Sequence, residues 1–149
     1  FATRTVILVR TMSNDGGSLG GRVTAVMAGF IATAALSIGT DTALRNLGFF
    51  PPSGEPMATS LYVVATLYRM VFTVFGGYVT AALTPGRALI PVIVLGAIGE
   101  LVALGGAAAT WNAGPEFGPH WYPLALVFTG VPCVLLGLVL RRGLPFTQA

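Results

Sequence analysis

The sequence predicts an all-α protein, an integral membrane four-helix bundle with both termini cytoplasmic. Three observations carry this. First, 54% of the 149 residues are hydrophobic and only 9% are charged, whereas soluble domains average about 25% charged. The mean hydropathy of +0.82 agrees. Second, the chain holds four apolar runs near the roughly 20 residues a bilayer-crossing helix needs. Third, its arginines fall almost entirely on one side of those runs.

The first run spans about Val23 to Leu44, with Phe49 as an alternative end, and the second about Ala58 to Leu83. The third spans about Ala88 to Thr110 and the fourth about Trp121 to Leu140. Helix breakers separate them. Pro51, Pro52, Gly54 and Pro56 follow the first run, and Pro85-Gly86 turns the second into the third. Asn112-Ala-Gly-Pro115 and Gly118-Pro119 precede the fourth. No connection can hold a soluble domain, so residues 23–142 form one four-span domain. Residues 1–22 read as a basic cytoplasmic tail ending in the linker Gly16-Gly-Ser-Leu-Gly-Gly21, and 143–149 as a short second tail. The apolar run Val6-Ile-Leu-Val9 is shorter than the roughly 7–15 residues of a signal-peptide core. Pro91, at the start of the third run, replaces an N–H that would lack an internal partner anyway. Pro132, inside the fourth, predicts a kink.

Orientation follows from charge. Arg4, Arg10, Arg22, Arg87, Arg141 and Arg142 share one side, and only Arg45 lies on the other. The positive-inside rule makes the arginine-rich side cytoplasmic, placing the chain N-in and C-in. Phe49, Phe50, Tyr62, Trp111, Phe117, Trp121 and Tyr122 cluster near the far side as an aromatic belt would, with Trp111, Trp121 and Tyr122 as interface anchors.

Two ions fall inside the runs. Arg69 is twelfth from Ala58, and Glu100 is thirteenth from Ala88. Counted from the turn at Pro85-Gly86, their depths differ by roughly 3 Å at 1.5 Å per residue. An Arg69–Glu100 ion pair is therefore expected. The Arg69 face also carries Tyr62, Ala65, Thr66, Thr73, Gly76, Gly77 and Thr80. The Glu100 face carries Gly96, Ala97, Ala103 and Ala107. Small and hydroxylated residues of this kind form packing faces in membranes. Such a pair serves either to fix helix register or to handle a ligand or proton.

Asp41 and Arg45 have the i,i+4 spacing of a helical ion pair, acid first. With Tyr62 and His120 they outline a polar outer vestibule. His120 has no second His or Cys ligand partner, because the chain holds one His and one Cys; no metal site and no cofactor are predicted. A lipid, quinone or pigment in a groove near Trp111 and Trp121 is a weaker expectation. Cys133 reads as a small buried hydrophobe. A net charge of +3, dispersed along the chain, excludes a nucleic-acid footprint. Walker, GxGxxG, HExxH and GxSxG motifs are absent in usable contexts, so no enzyme is expected.

Asp41, Phe49-Phe-Pro-Pro52, Tyr68-Arg69, Gly76-Gly-Tyr78 and Trp111-Asn with Gly118-Pro-His-Trp-Tyr-Pro123 resemble small uncharacterised four-span bacterial inner-membrane proteins. The resemblance covers about residues 23–142 and implies location and architecture only. Small multidrug transporters also have four spans and use an acid in the first helix. Here that helix's only acid, Asp41, lies near its end, so their function is not carried over. The expected role is a non-catalytic accessory or structural subunit of a larger bacterial membrane complex, of respiratory or photosynthetic type. The alternative is a small transporter or channel subunit with a polar pathway around Arg69 and Glu100. The expected partners are the lipid bilayer and other membrane subunits, or a second copy.

Overall fold

A computed structural model describes residues 18–143, which fold as four long helices and one short 3-10 turn. Helix α1 is Leu19–Asn46, α2 is Thr59–Leu83, α3 is Leu89–Thr110 and α4 is Trp121–Gly143, with the turn Pro115–Phe117 before α4. All four are long and apolar enough to cross a membrane. Of the tail expected over residues 1–22, residues 1–17 lie outside the described part and Leu19–Arg22 are already helix; of the second, 143–149, only Gly143 is described, as the end of α4. The expected linker shortens, because Ser18 caps α1 by accepting from the Gly21 N–H at 3.2 Å and draws Gly20 and Gly21 into the first turn. Pro91 falls in the first turn of α3, and α4 continues as helix through Pro132.

The bundle is a ring in the order α1, α2, α4, α3. Helix α2 packs most extensively against α4, then α1, and only weakly against α3, its neighbour in sequence. The cause is backbone approach. A Cβ at Gly77 would lie 2.7 Å from Val134 Cα, and one at Gly137 would lie 2.5 Å from Tyr78 N. Only hydrogen at these positions lets α4 sit so close to α2. Helices α1 and α2 interlock through glycine and threonine. A Cβ at Gly29 would lie 2.6 Å from Gly76 O. Thr33 Oγ1 donates to Phe72 O at 3.2 Å, and Thr80 Oγ1 to Ala25 O at 3.2 Å. Such hydroxyl bonds cross between helices without leaving a buried polar group unpaired.

The outward faces carry large apolar side chains, among them Ile31, Ile38, Leu67, Val71, Leu101, Phe128 and Val139. Buried positions are mostly small: Ala25, Gly29, Ala65, Gly76, Gly77, Ala81, Gly96, Ala107 and Gly137. Ala97, expected on the packing face of α3, is exposed instead. The two halves of the bundle differ. Toward the α2–α3 turn, Val26, Ala81, Ala88, Val92, Leu95, Val134 and Leu138 form a filled apolar core. Toward the α1–α2 and α3–α4 connections, alanines and glycines leave the middle hollow.

Candidate functional site: a polar cluster in a half-hollow bundle

The hollow half is a cavity of about 530 Å³ reaching from Phe30 and Leu95 to Glu55, Glu116 and Phe117. Along α1 it runs from Phe30 to Arg45, roughly 22 Å at 1.5 Å per residue. Its walls owe their space to Ala34, Ala65, Gly99, Ala103 and Gly106. Volumes of about 300–1,000 Å³ suit small-molecule ligands.

Its side wall holds the main charged cluster. Arg69 Nη2 lies 2.5 Å from Asp41 Oδ2. Tyr68 Oη donates to the other oxygen, Asp41 Oδ1. The Arg69 guanidinium also stands over the Tyr122 ring, 5.8 Å from its centroid, in range for a cation–π contact. Tyr122 in turn packs on Tyr62 with centroids 5.1 Å apart, and Tyr62 Oη donates to Glu116 O at 3.2 Å. Helices α1, α2 and α4 therefore all converge on Arg69.

The register explains how Arg69 reaches Asp41. Ala25 is level with Thr80, Gly29 with Gly76 and Thr33 with Phe72. Extending that register sets Asp41 level with Val64. Arg69 lies roughly 7 Å deeper along α2, a gap that its long side chain closes by climbing toward the loop end.

The expected Arg69–Glu100 pair does not form. Val134 meets both Gly77 and Gly96, so α2 and α3 can be levelled through it. Arg69 then stands roughly 6 Å above Glu100 at 1.5 Å per residue, so depth does not forbid the pair. Direction does: Arg69 turns to α1, while Glu100 turns to α4. Glu100 Oε2 would lie 3.2 Å from a Cβ at Gly130, is shielded from solvent and has no hydrogen-bond partner. The expected Asp41–Arg45 pair is also replaced. Asp41 is spent on Arg69 and Tyr68, and Arg45 Nη1 donates to Pro51 O at 2.6 Å.

Of the expected vestibule, Asp41, Arg45 and Tyr62 line the cavity. His120 does not. Its ring stacks on Trp111 with centroids 4.5 Å apart, and Nε2 bonds Trp111 O at 2.8 Å. Trp111 and Trp121 are exposed, as anchors require. Tyr122, Tyr62 and Phe50, also assigned to the belt, turn inward. Phe50 and Tyr62 are each 4% exposed. Sequence reasoning missed the roles of Tyr68 and Tyr122. Antiparallel pairing of α1 with α2 was legible, but the connection over residues 47–58 hides the register by folding back on α1, where Leu44 O accepts from both Phe49 and Phe50 N–H. No group of three or more His, Cys, Asp or Glu that could hold a metal occurs among the described residues.

Fold and site together define an all-helical, four-helix protein with a charged interior cavity closed at one end. Comparisons with protein-family models, curated proteins and solved structures gave no match, so a functional reading rests on the geometry above.

Proposed function

We propose that this chain is an integral, non-catalytic membrane protein that binds a small amphipathic molecule in its half-hollow bundle, as a small transporter subunit would. Outward aliphatic faces and inward small residues suit lipid outside and helix contacts inside. The arginine distribution supports both termini lying in the cytoplasm, and the resemblance noted above supports a bacterial inner membrane.

The observation that carries the binding reading is the cavity. A purely structural bundle fills its middle; this one leaves about 530 Å³ beside an Asp41–Arg69 pair. The apolar core below Leu95 blocks a continuous pore in this conformation, which favours a carrier over an open channel. Native mass spectrometry of protein taken from membranes in mild detergent tests this. A retained small amphiphile, lost in Ala103→Phe, is the expected result. An empty wild type that no amphiphile stabilises would sink the reading.

A second reading, an accessory subunit, is favoured by one surface. Helix α3 exposes Ala97, Gly105, Ala108 and Ala109, and a Cβ at Gly105 would meet nothing within 4 Å. Another helix could pack closely there. Stable co-purification of a second membrane polypeptide would support it.

A further inference from the structure

We propose that the end of the bundle at the α2–α3 turn binds the phosphate headgroup of an anionic phospholipid. The inference rests on the chain lying in a bilayer and is independent of the cavity.

Three parts of the chain bring arginines to that end. Val26, Ala88 and Leu138 meet in the filled apolar core. Arg22 lies one turn before Val26 on α1, and Arg142 one turn after Leu138 on α4. Arg87 directly precedes Ala88 in the α2–α3 turn. Residues four apart share a helix face, so the faces that converge in the core carry Arg22 and Arg142 just beyond it. The start of α1 also abuts the turn, since a Cβ at Gly21 would lie 3.4 Å from Pro85 Cγ. Arg22 and Arg87 therefore flank one contact.

No acid among the described residues answers them. Asp41, Glu55, Glu100 and Glu116 all lie at mid-bundle or toward the opposite end. Arg22, Arg87 and Arg142 make no salt bridge among the described residues. Arg22 Nε is shielded from solvent and has no hydrogen-bond partner. Guanidinium groups gathered without a counter-ion repel one another, and an anion relieves that repulsion. Phosphate suits them because the planar guanidinium fork can hold two of its oxygens at once.

The flanks select a lipid over a free phosphate. Val23 and Met27 on α1, and Leu89, Ile90 and Ile93 on α3, are exposed apolar side chains just inside the arginines. Acyl chains can lie along them while the phosphate meets the guanidinium groups. A soluble phosphate gains nothing from these side chains. Basic clusters at the membrane ends of helices attract anionic headgroups in this way.

The test is lipid retention by the full chain, read by native mass spectrometry from nanodiscs of equal phosphatidylglycerol and phosphatidylcholine. One phosphatidylglycerol should stay bound in preference to phosphatidylcholine. Arg22→Gln/Arg87→Gln should lower its retention by about fivefold or more, the factor that one charge near an anionic surface supplies. Arg142→Gln, a milder change at the exposed end of α4, should lower it as well. Ala103→Phe should leave it intact, which separates this lipid from an occupant of the cavity. Equal retention of the two lipids would overturn the proposal. So would loss of the preference in Ala103→Phe, or a preference unchanged in both arginine variants. Displacement of the lipid by inorganic phosphate would also overturn it and assign the site to a soluble anion. Alkaline carbonate extraction tests insertion separately. Release of the chain would overturn the membrane reading itself, which the other outcomes leave standing.

Discussion

Arg69 Nη2 and Asp41 Oδ2 stand 2.5 Å apart across the α1–α2 seam, with side chains 29% and 26% exposed. Because the pair is mostly shielded, losing one partner strands the other. Asp41→Ala should cost less than the roughly 3–5 kcal/mol of breaking a fully buried pair, since about a quarter of each side chain is exposed, but more than the roughly 1 kcal/mol ceiling of a surface pair. Thermal unfolding in detergent reads this directly. Asp41→Asn should cost less, since an amide oxygen can still accept from Arg69 or Tyr68.

Coupling energies separate the two candidate partners of Arg69. A double-mutant cycle over Asp41 and Arg69 should give an interaction energy within the roughly 0.5–3 kcal/mol seen for contacting residues. The cycle over Arg69 and Glu100 should give a value near zero. A large Arg69–Glu100 coupling would contradict the arrangement described for α3.

The α2–α4 contact depends on two missing side chains. Gly77→Leu must push a side chain into the Val134 backbone, and Gly137→Leu one into α2 at Tyr78. Overpacking typically costs about 1–3 kcal/mol, and backbone on the far side leaves little room to relax. Both variants should fall at or above the top of that range. Gly105→Leu, which meets open space, is the control and should fold normally.

Gly118 holds the loop that brings Glu116 to the cavity. Its φ is +90°, and a Cβ there would lie 2.5 Å from Tyr62 Cε1. Gly118→Ala combines backbone strain of about 1–3 kcal/mol with displacement of Tyr62. Tyrosine fluorescence and unfolding temperature should both change, while Gly48→Ala, at a φ of +76° with nothing within 4 Å of its Cβ, should strain the backbone and leave the tyrosine signal unaltered.

Cys133 is the chain's single thiol and is buried. A polar maleimide should fail to label it in the folded protein and label it fully once the protein is unfolded in dodecyl sulfate. Rapid labelling of the folded state would mean that α4 opens away from α2 and α3.

How much was legible depends on which link of the chain is asked about. The helices were readable to within about one turn at each end, because apolar length and Pro-Gly punctuation are local properties. The second was expected from Ala58 and begins at Thr59, and the third from Ala88 and begins at Leu89; the first was expected from Val23 and begins a turn earlier at Leu19, where Ser18 caps it. The packing face of α2 was largely readable, since Tyr62, Ala65, Thr66, Gly76, Gly77 and Thr80 are buried, while Thr73 is half-buried. Arg69's partner was not. Counting from the α2–α3 turn treats sequence neighbours as spatial neighbours, and the ring order breaks that assumption.

By itself the sequence determined four apolar helices, their limits, and a charge that must find a counter-ion inside them. Hydrophobicity and helix breaking are set residue by residue, so no tertiary information was needed. Only the tertiary structure decided that Asp41 is that counter-ion. Gly77 and Gly137 draw α4 against α2, which leaves α3 across the ring. Arg69 then turns to α1, and Glu100 turns to Gly130. Close packing of glycine against backbone set those directions, and it acts between segments far apart in the chain.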